Sequence, residues 1–209
     1  MTYSLLAARI VIGTAALALL ALAALHILKP EVNPSRNMIS QYALGRHGWL
    51  MALCFAAFAA ASACLVGALI ATVPSLLGRI GLAFLLIAGI GLAIAARFPM
   101  DPVSTPPGQR SFSGKMHGVS FLMGVPCQLL AVLLVSLALG SHTTYGSLPL
   151  LVLTAIVWLS LAAMIAIMLR VGPGHGPNPN VPRMFGWSNR LFMVAYGVWL
   201  MVVAWPIAR

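Results

Sequence analysis

The stretch NPSRNMISQYALGRHGWLM, Asn33 to Met51, decides how the chain divides. It is a long polar run near the front, with apolar sequence on both sides. Asn33 offers a helix cap, Pro34 suits a first helical position, and Gly45 offers a left-handed stop. At about 100° per residue, Met38, Ile39, Tyr42 and Ala43 share one face, with Arg36, Asn37, Ser40 and Gln41 on the other. The pattern predicts a short amphipathic helix lying at a membrane surface. Gly48-Trp49 then leads into a new apolar run, with the indole at interface level.

Outside this stretch the chain is dominated by apolar residues. They make up 61% of 209 residues and charged residues only 7%, far below the roughly one quarter usual in soluble chains. Mean hydropathy is +1.01. A span needs about 20 apolar residues. Six fit, at roughly Leu5–Leu28, Gly48–Thr72, Leu77–Ala96, Lys115–Leu139, Leu148–Leu169 and Asn189–Ile207. The expectation is an all-α polytopic membrane protein, one six-helix transmembrane domain with little chain left for a soluble one. The first apolar run is too long for a signal peptide's core, so it reads as an uncleaved helix.

Twelve Lys and Arg stand against two acids, Glu31 and Asp101. In a soluble protein that balance would suggest nucleic acid; here topology explains it. Lys29, Arg36, Arg46, Arg97, Arg110, Lys115, Arg170, Arg183 and Arg190 flank the first, third and fifth loops, leaving Arg9, Arg79 and Arg209 for the opposite end. The positive-inside rule puts those three loops in the cytoplasm. Cys54, Cys64 and Cys127 sit inside spans without metal or disulfide spacing. They read as small core residues, and no metal site or cofactor is specified.

Alanine in the second span and glycine in the third predict close packing of that pair, because small residues let helices approach in lipid. Gly114 and Gly118 make a GxxxG pair of the same kind. On the fourth span His117, Phe121, Gly124 and Gln128 recur at nearly one angle, a stripe running about 16 Å into the bilayer. Pro126 should kink that helix. Such a stripe beside a kink points to a cavity.

Asn33-Pro34-Ser35-Arg36, Ile39-Ser40-x-Tyr42-Ala43-Leu44-Gly45 and Gly48-Trp49 resemble the signature of the domain of unknown function 998 family, prokaryotic multi-helix membrane proteins. Phe98-Pro99-x-Asp101-Pro102 and Gly114-x-x-His117 are similar too, whereas the fifth loop's Gly-Pro-His-Gly-Pro-Asn-Pro run departs from the family. The resemblance implies the membrane fold, with a bacterial inner membrane as the expected location, and supplies no activity to carry over.

Most polar chemistry falls on the loaded side: Glu31, Asn33, Ser35, Arg36, Ser40, Tyr42, His47, Asp101 and His117, joined by His26, His175, Arg110 and Arg190. One reading is a protein that binds or processes an anionic membrane lipid or similar amphiphile. Arg36 and Arg110 would anchor the head, since arginine takes phosphate in a bidentate way. Asn33, Ser35, Tyr42 and Gln128 complete that ligand set. Asp101 would orient His117 as acid or base, with Ser40 (or Ser35) as nucleophile. Blander readings stand beside each role: a capped surface helix for the serines, an ion pair of Asp101 with Arg97 or Arg110, a loop carbonyl bonded to His117. The other functional class is an accessory subunit with membrane-protein partners or a homo-oligomer, anchored through Tyr42 and Trp49. Transport is disfavoured by sparse polarity in mid-membrane, and haem by the absence of any demanding histidine spacing.

Overall fold

The computed structural model describes residues 3–140, 145, 147–171 and 184–209. His142, His175, Arg183 and nearly all of the fourth and fifth loops lie outside the described residues. Among the described residues six α-helices form: α1 (Tyr3–Leu28), α2 (Gly48–Leu69), α3 (Leu76–Arg97), α4 (Phe112–Gly140), α5 (Ser147–Val171) and α6 (Met184–Ala208). All six are long and apolar enough to cross a membrane. Leu20, Leu86, Leu122 and Leu159 point outward from four of them and are exposed, which suits lipid. Exposed Trp49, Phe112 and Trp187 ring one end, and Tyr3 and Trp205 the other, as interfacial aromatics do.

Consecutive helices pack on one another, and α1 closes the ring against α6. Helix α6 also crosses to α2 and touches α4. Glycines set the closest approaches. A Cβ on Gly91 of α3 would stand 2.8 Å from the Gly124 Cα of α4, and one on Gly81 would meet Val135. Gly89 faces the other way, against Ser62 and Ala59 of α2. The α3 glycines therefore serve two neighbours, α4 as well as the expected α2. Gly114 and Gly118 do not form a helix-packing pair: Gly114 makes room for the Asp101 carboxylate, and Gly118 has nothing within 4 Å. Helix α4 runs on through Pro126, which is exposed.

The first loop departs from the amphipathic helix expected over Asn33–Gly45. Asn33 to Asn37 make a single turn, with Asn37 N–H bonded to the Asn33 carbonyl at 2.9 Å. Met38 is then extended, a 3-10 helix covers Ile39–Ala43, and Leu44 is extended again. The break has a physical cause: the Ile39 N–H is drawn to Asn189 Oδ1 of α6 at 2.9 Å instead of into a helical ladder. Gly45 (φ 69°) and His47 (φ 62°) are both left-handed, and between them the chain turns into α2. Gly45 is thus a stop, as its residue type suggests, but for a shorter and tighter element.

Candidate functional site

Two buried cations hold the first loop from beneath. Lys29, at the end of α1, sends its ammonium to the carbonyls of Tyr42 (3.1 Å) and Leu44, closing the end of the 3-10 helix. Its one acidic neighbour, Glu31, stands 4.0 Å away on the exposed side. Arg190 of α6 is only 4% exposed. Its Nη1 donates to the carbonyls of Asn37 (2.7 Å) and Gly186 (3.1 Å), and its Nη2 to the Tyr42 hydroxyl (3.1 Å). Its Nε donates to His26 Nε2 at 2.7 Å, while His26 Nδ1 bonds the Leu22 carbonyl at 2.7 Å. Arginine has no lone pair to offer, so His26 Nε2 must accept and its Nδ1 must carry the proton. That makes His26 neutral in this arrangement. The guanidinium also lies over the Tyr42 ring, 5.4 Å from its centroid.

Backbone dipoles and neutral side chains thus meet charges that an acid would ordinarily meet. Tyr42 is fully buried within this hub. Asn33 Oδ1 is taken up locally, accepting from Ser35 N (3.0 Å) and Ser35 Oγ (2.7 Å). Gly186 completes the seat: its N–H donates to the Ser35 carbonyl at 2.9 Å, and a Cβ there would press on Pro34, Arg36 and Asn37. The loop therefore rests on the first turn of α6, which begins before the expected start at Asn189.

The third loop is organised separately, around Asp101. Its carboxylate accepts from Ser111 N (2.8 Å) and Ser111 Oγ (2.6 Å), and Ser111 Oγ in turn accepts from Gly114 N (3.0 Å). A carboxylate at a helix N-terminus also meets the positive end of the helix dipole. This extends α4 back to Phe112. His117 Nδ1 bonds the Phe98 carbonyl at 3.0 Å, so the ring is oriented by a loop carbonyl, the plainer of its two sequence readings, and not by Asp101. Arg36 is half-buried on the first loop, and Arg110 is exposed on the third.

Beneath the first loop lies a cavity of about 60 Å³. Met38, Ile39 and Ser40 roof it; Phe55 of α2, Leu92 and Ala95 of α3, the His117-to-Gln128 stripe of α4, and Asn189, Phe192 and Met193 of α6 form its walls. Three of the residues nominated from sequence, Ser40, His117 and Gln128, share this space. Asn33, Ser35, Arg36, Tyr42, Asp101 and Arg110 do not line it. Gln128 is 2% exposed and its Nε2 has no hydrogen-bond partner among the described residues. The Tyr196 hydroxyl lies beside it, bonded to Ser62 Oγ at 2.7 Å and with its oxygen still able to accept from the amide. Further along the helices, Ser136 Oγ accepts from Thr154 Oγ1 (2.9 Å) and Trp199 Nε1 (2.8 Å), tying α4, α5 and α6. The cavity is thus confined to the end under the first loop.

Asn189, Arg190 and Lys29 are the residues whose part here the sequence concealed. Cations at span ends read as topology signals; the burial of Arg190 depends on contacts about 150 residues away in the chain, and that of Lys29 on carbonyls 13 and 15 residues on. The one available hint was the scarcity of acids, which leaves carbonyls as the partners for any buried cation.

A family profile described as "Protein of unknown function (DUF998)" matches residues 11–206, and the chain belongs to that family. No curated protein and no solved structure matched it.

Proposed function

We propose that this DUF998 membrane protein binds an anionic, lipid-like amphiphile at the end formed by its first and third loops. The apolar part would lie in the cavity under the first loop, and the head beside the cations above it. The observation that carries this reading is the cavity itself. It enters a bundle of membrane-spanning helices directly below the most cationic end of the chain, with neutral walls and a polar group at its depth.

In this reading Arg36 and Arg110 contact the head, since neither guanidinium is committed to an acid. His117, its Nδ1–H held by the Phe98 carbonyl, turns an Nε2 lone pair to the head and would accept from a hydroxyl there. Asn33, Ser35 and Tyr42 act by shaping the loop. A catalytic version gives Ser40 the nucleophile's part and His117 the base's, with the Phe98 carbonyl holding the ring and Asp101 holding the start of α4. The cation excess puts this end in the cytoplasm.

Native mass spectrometry of gently extracted protein tests the binding. We expect a retained lipid-sized mass that is lost in His117→Ala and in Arg36→Ala. Co-extracted protein chains with no small molecule would replace the reading by that of an accessory subunit. A bare monomer would overturn the ligand reading outright.

A further inference from the structure

Three side chains at the loop end of the cavity keep polar atoms that the fold itself does not use. Asn189 spends its Oδ1 on the Ile39 N–H, which fixes the amide and leaves Nδ2 as a free donor. His117 spends its Nδ1–H on the Phe98 carbonyl, so Nε2 keeps its lone pair. Ser40 is only 8% exposed, yet its hydroxyl has no hydrogen-bond partner among the described residues. The same is true of Asn189 Nδ2 and His117 Nε2, so none of the three satisfies another. All three residues line the cavity. The other polar groups of its wall are provided for: Ser120 Oγ donates to the His117 carbonyl at 2.6 Å, and the Gln128 amide has the Tyr196 oxygen. His117 and Asn189 each stand five residues into their helices, α4 and α6, about 7.5 Å from the same end of the bundle. Ser40 follows Ile39, which is held on Asn189. The three make a polar collar at one level, with the first loop above it and apolar walls below.

A collar of one lone pair and two donors has a specific complement. A single alcohol group donates its proton to His117 Nε2 and accepts from Asn189 Nδ2 and the Ser40 hydroxyl, using all that it has to offer. A phosphate or carboxylate oxygen would set its lone pairs against that of Nε2. No lysine or arginine lines the cavity among the described residues to offset the clash. Resting on the amphiphile reading above, we infer that the ligand carries a free hydroxyl between its anionic head and its apolar chain, received by Asn189 together with Ser40 and His117. From loop to core the order is then charge, hydroxyl, chain. That is the order of a lysophospholipid, in which an unacylated glycerol hydroxyl separates the phosphate from a single chain. A cavity of about 60 Å³ also suits one chain and not two.

Two lipids separate this inference from the reading beneath it. Oleoyl lysophosphatidate carries a phosphate, a free hydroxyl and one chain; oleoyl propanediol phosphate differs only in lacking that hydroxyl. Both are titrated into the full chain in dodecylmaltoside micelles. We expect the lysophosphatidate to bind wild type about five- to tenfold more tightly, the net size of one uncharged hydrogen bond. His117→Phe removes the acceptor and should bring the two lipids within about twofold of each other. Ser40→Ala, whose hydroxyl supports no other group, serves if the phenylalanine variant does not fold, and should cut the preference by about half. Equal binding of the two lipids by wild type would mean that water alone meets the collar, and would overturn the inference while the amphiphile reading stands. A preference undiminished in the variant that serves would also overturn it. If wild type binds neither lipid, both the amphiphile reading and this inference fall.

Discussion

The first and third loops are alike in composition, both proline-bearing and polar and both leading into a helix, yet they are stabilised in opposite ways. The third loop is closed by an acid at its own surface: Asp101 reaches Ser111, ten residues on. The first is closed by cations rising from the bundle, Lys29 from α1 and Arg190 from α6. One is a cap on a single helix. The other is a joint between the two ends of the chain, and it also roofs the cavity. Charge sign follows from backbone direction: exposed N–H groups at a helix start attract a carboxylate, and stranded loop carbonyls attract ammonium and guanidinium.

The contrast makes predictions of decreasing size. Arg190→Leu removes every polar contact of that guanidinium and strands the Asn37 carbonyl. It should cost about 3 kcal/mol or more, read as a fall in the thermal midpoint in detergent. A loss below about 0.5 kcal/mol, the level of an ordinary surface change, would mean that the loop does not depend on its buried cation. Gly186→Ala pushes a methyl into Pro34, Arg36 and Asn37, and should cost about 1–3 kcal/mol as overpacking does. If this variant unfolds at the wild-type temperature, the loop does not rest on α6 as described. Asp101→Asn keeps the shape and loses the charge, so the third loop should give up only about 1 kcal/mol. A loss as large as that of Arg190→Leu would erase the distinction between cap and joint. Smallest of all, Gly118→Ala meets nothing within 4 Å and should be neutral or stabilising by up to about 1 kcal/mol. Its failure to fold or to retain a partner protein would move the weight toward the accessory-subunit reading.

Hydropathy made the six helices legible, because a span must supply about 20 apolar residues in one run. The glycine contacts were legible in kind but not in direction: Gly81 and Gly91 turn toward α4, whereas Gly89 turns toward α2. The polar stripe His117, Phe121, Gly124, Gln128 was readable from helical spacing alone, since all four belong to one helix. The first loop was not. Its local signals, Asn33, Pro34 and Gly45, describe a helix that is satisfied by itself. The observed chain gives up that ladder for Asn189, Lys29 and Arg190, which lie on other helices. The Asp101 role was missed for a similar reason. Its partner is Ser111 across a proline turn, while His117 takes the loop carbonyl that its place at a helix start already suggested.

The seat of the first loop on α6 also sets an order of events in biosynthesis. The loop leaves the ribosome well before Gly186, Asn189 and Arg190, which are made some 150 positions later. Until α6 arrives, the Ser35 and Asn37 carbonyls and the Ile39 N–H lack the partners they have in the finished fold. Helix α6 is therefore the one that completes the first loop. A chain stopped before Met184 should present its first loop to protease, and one carried through Ala208 should protect it. Protease protection of the first loop is thus a readout that α6 has been made and has docked.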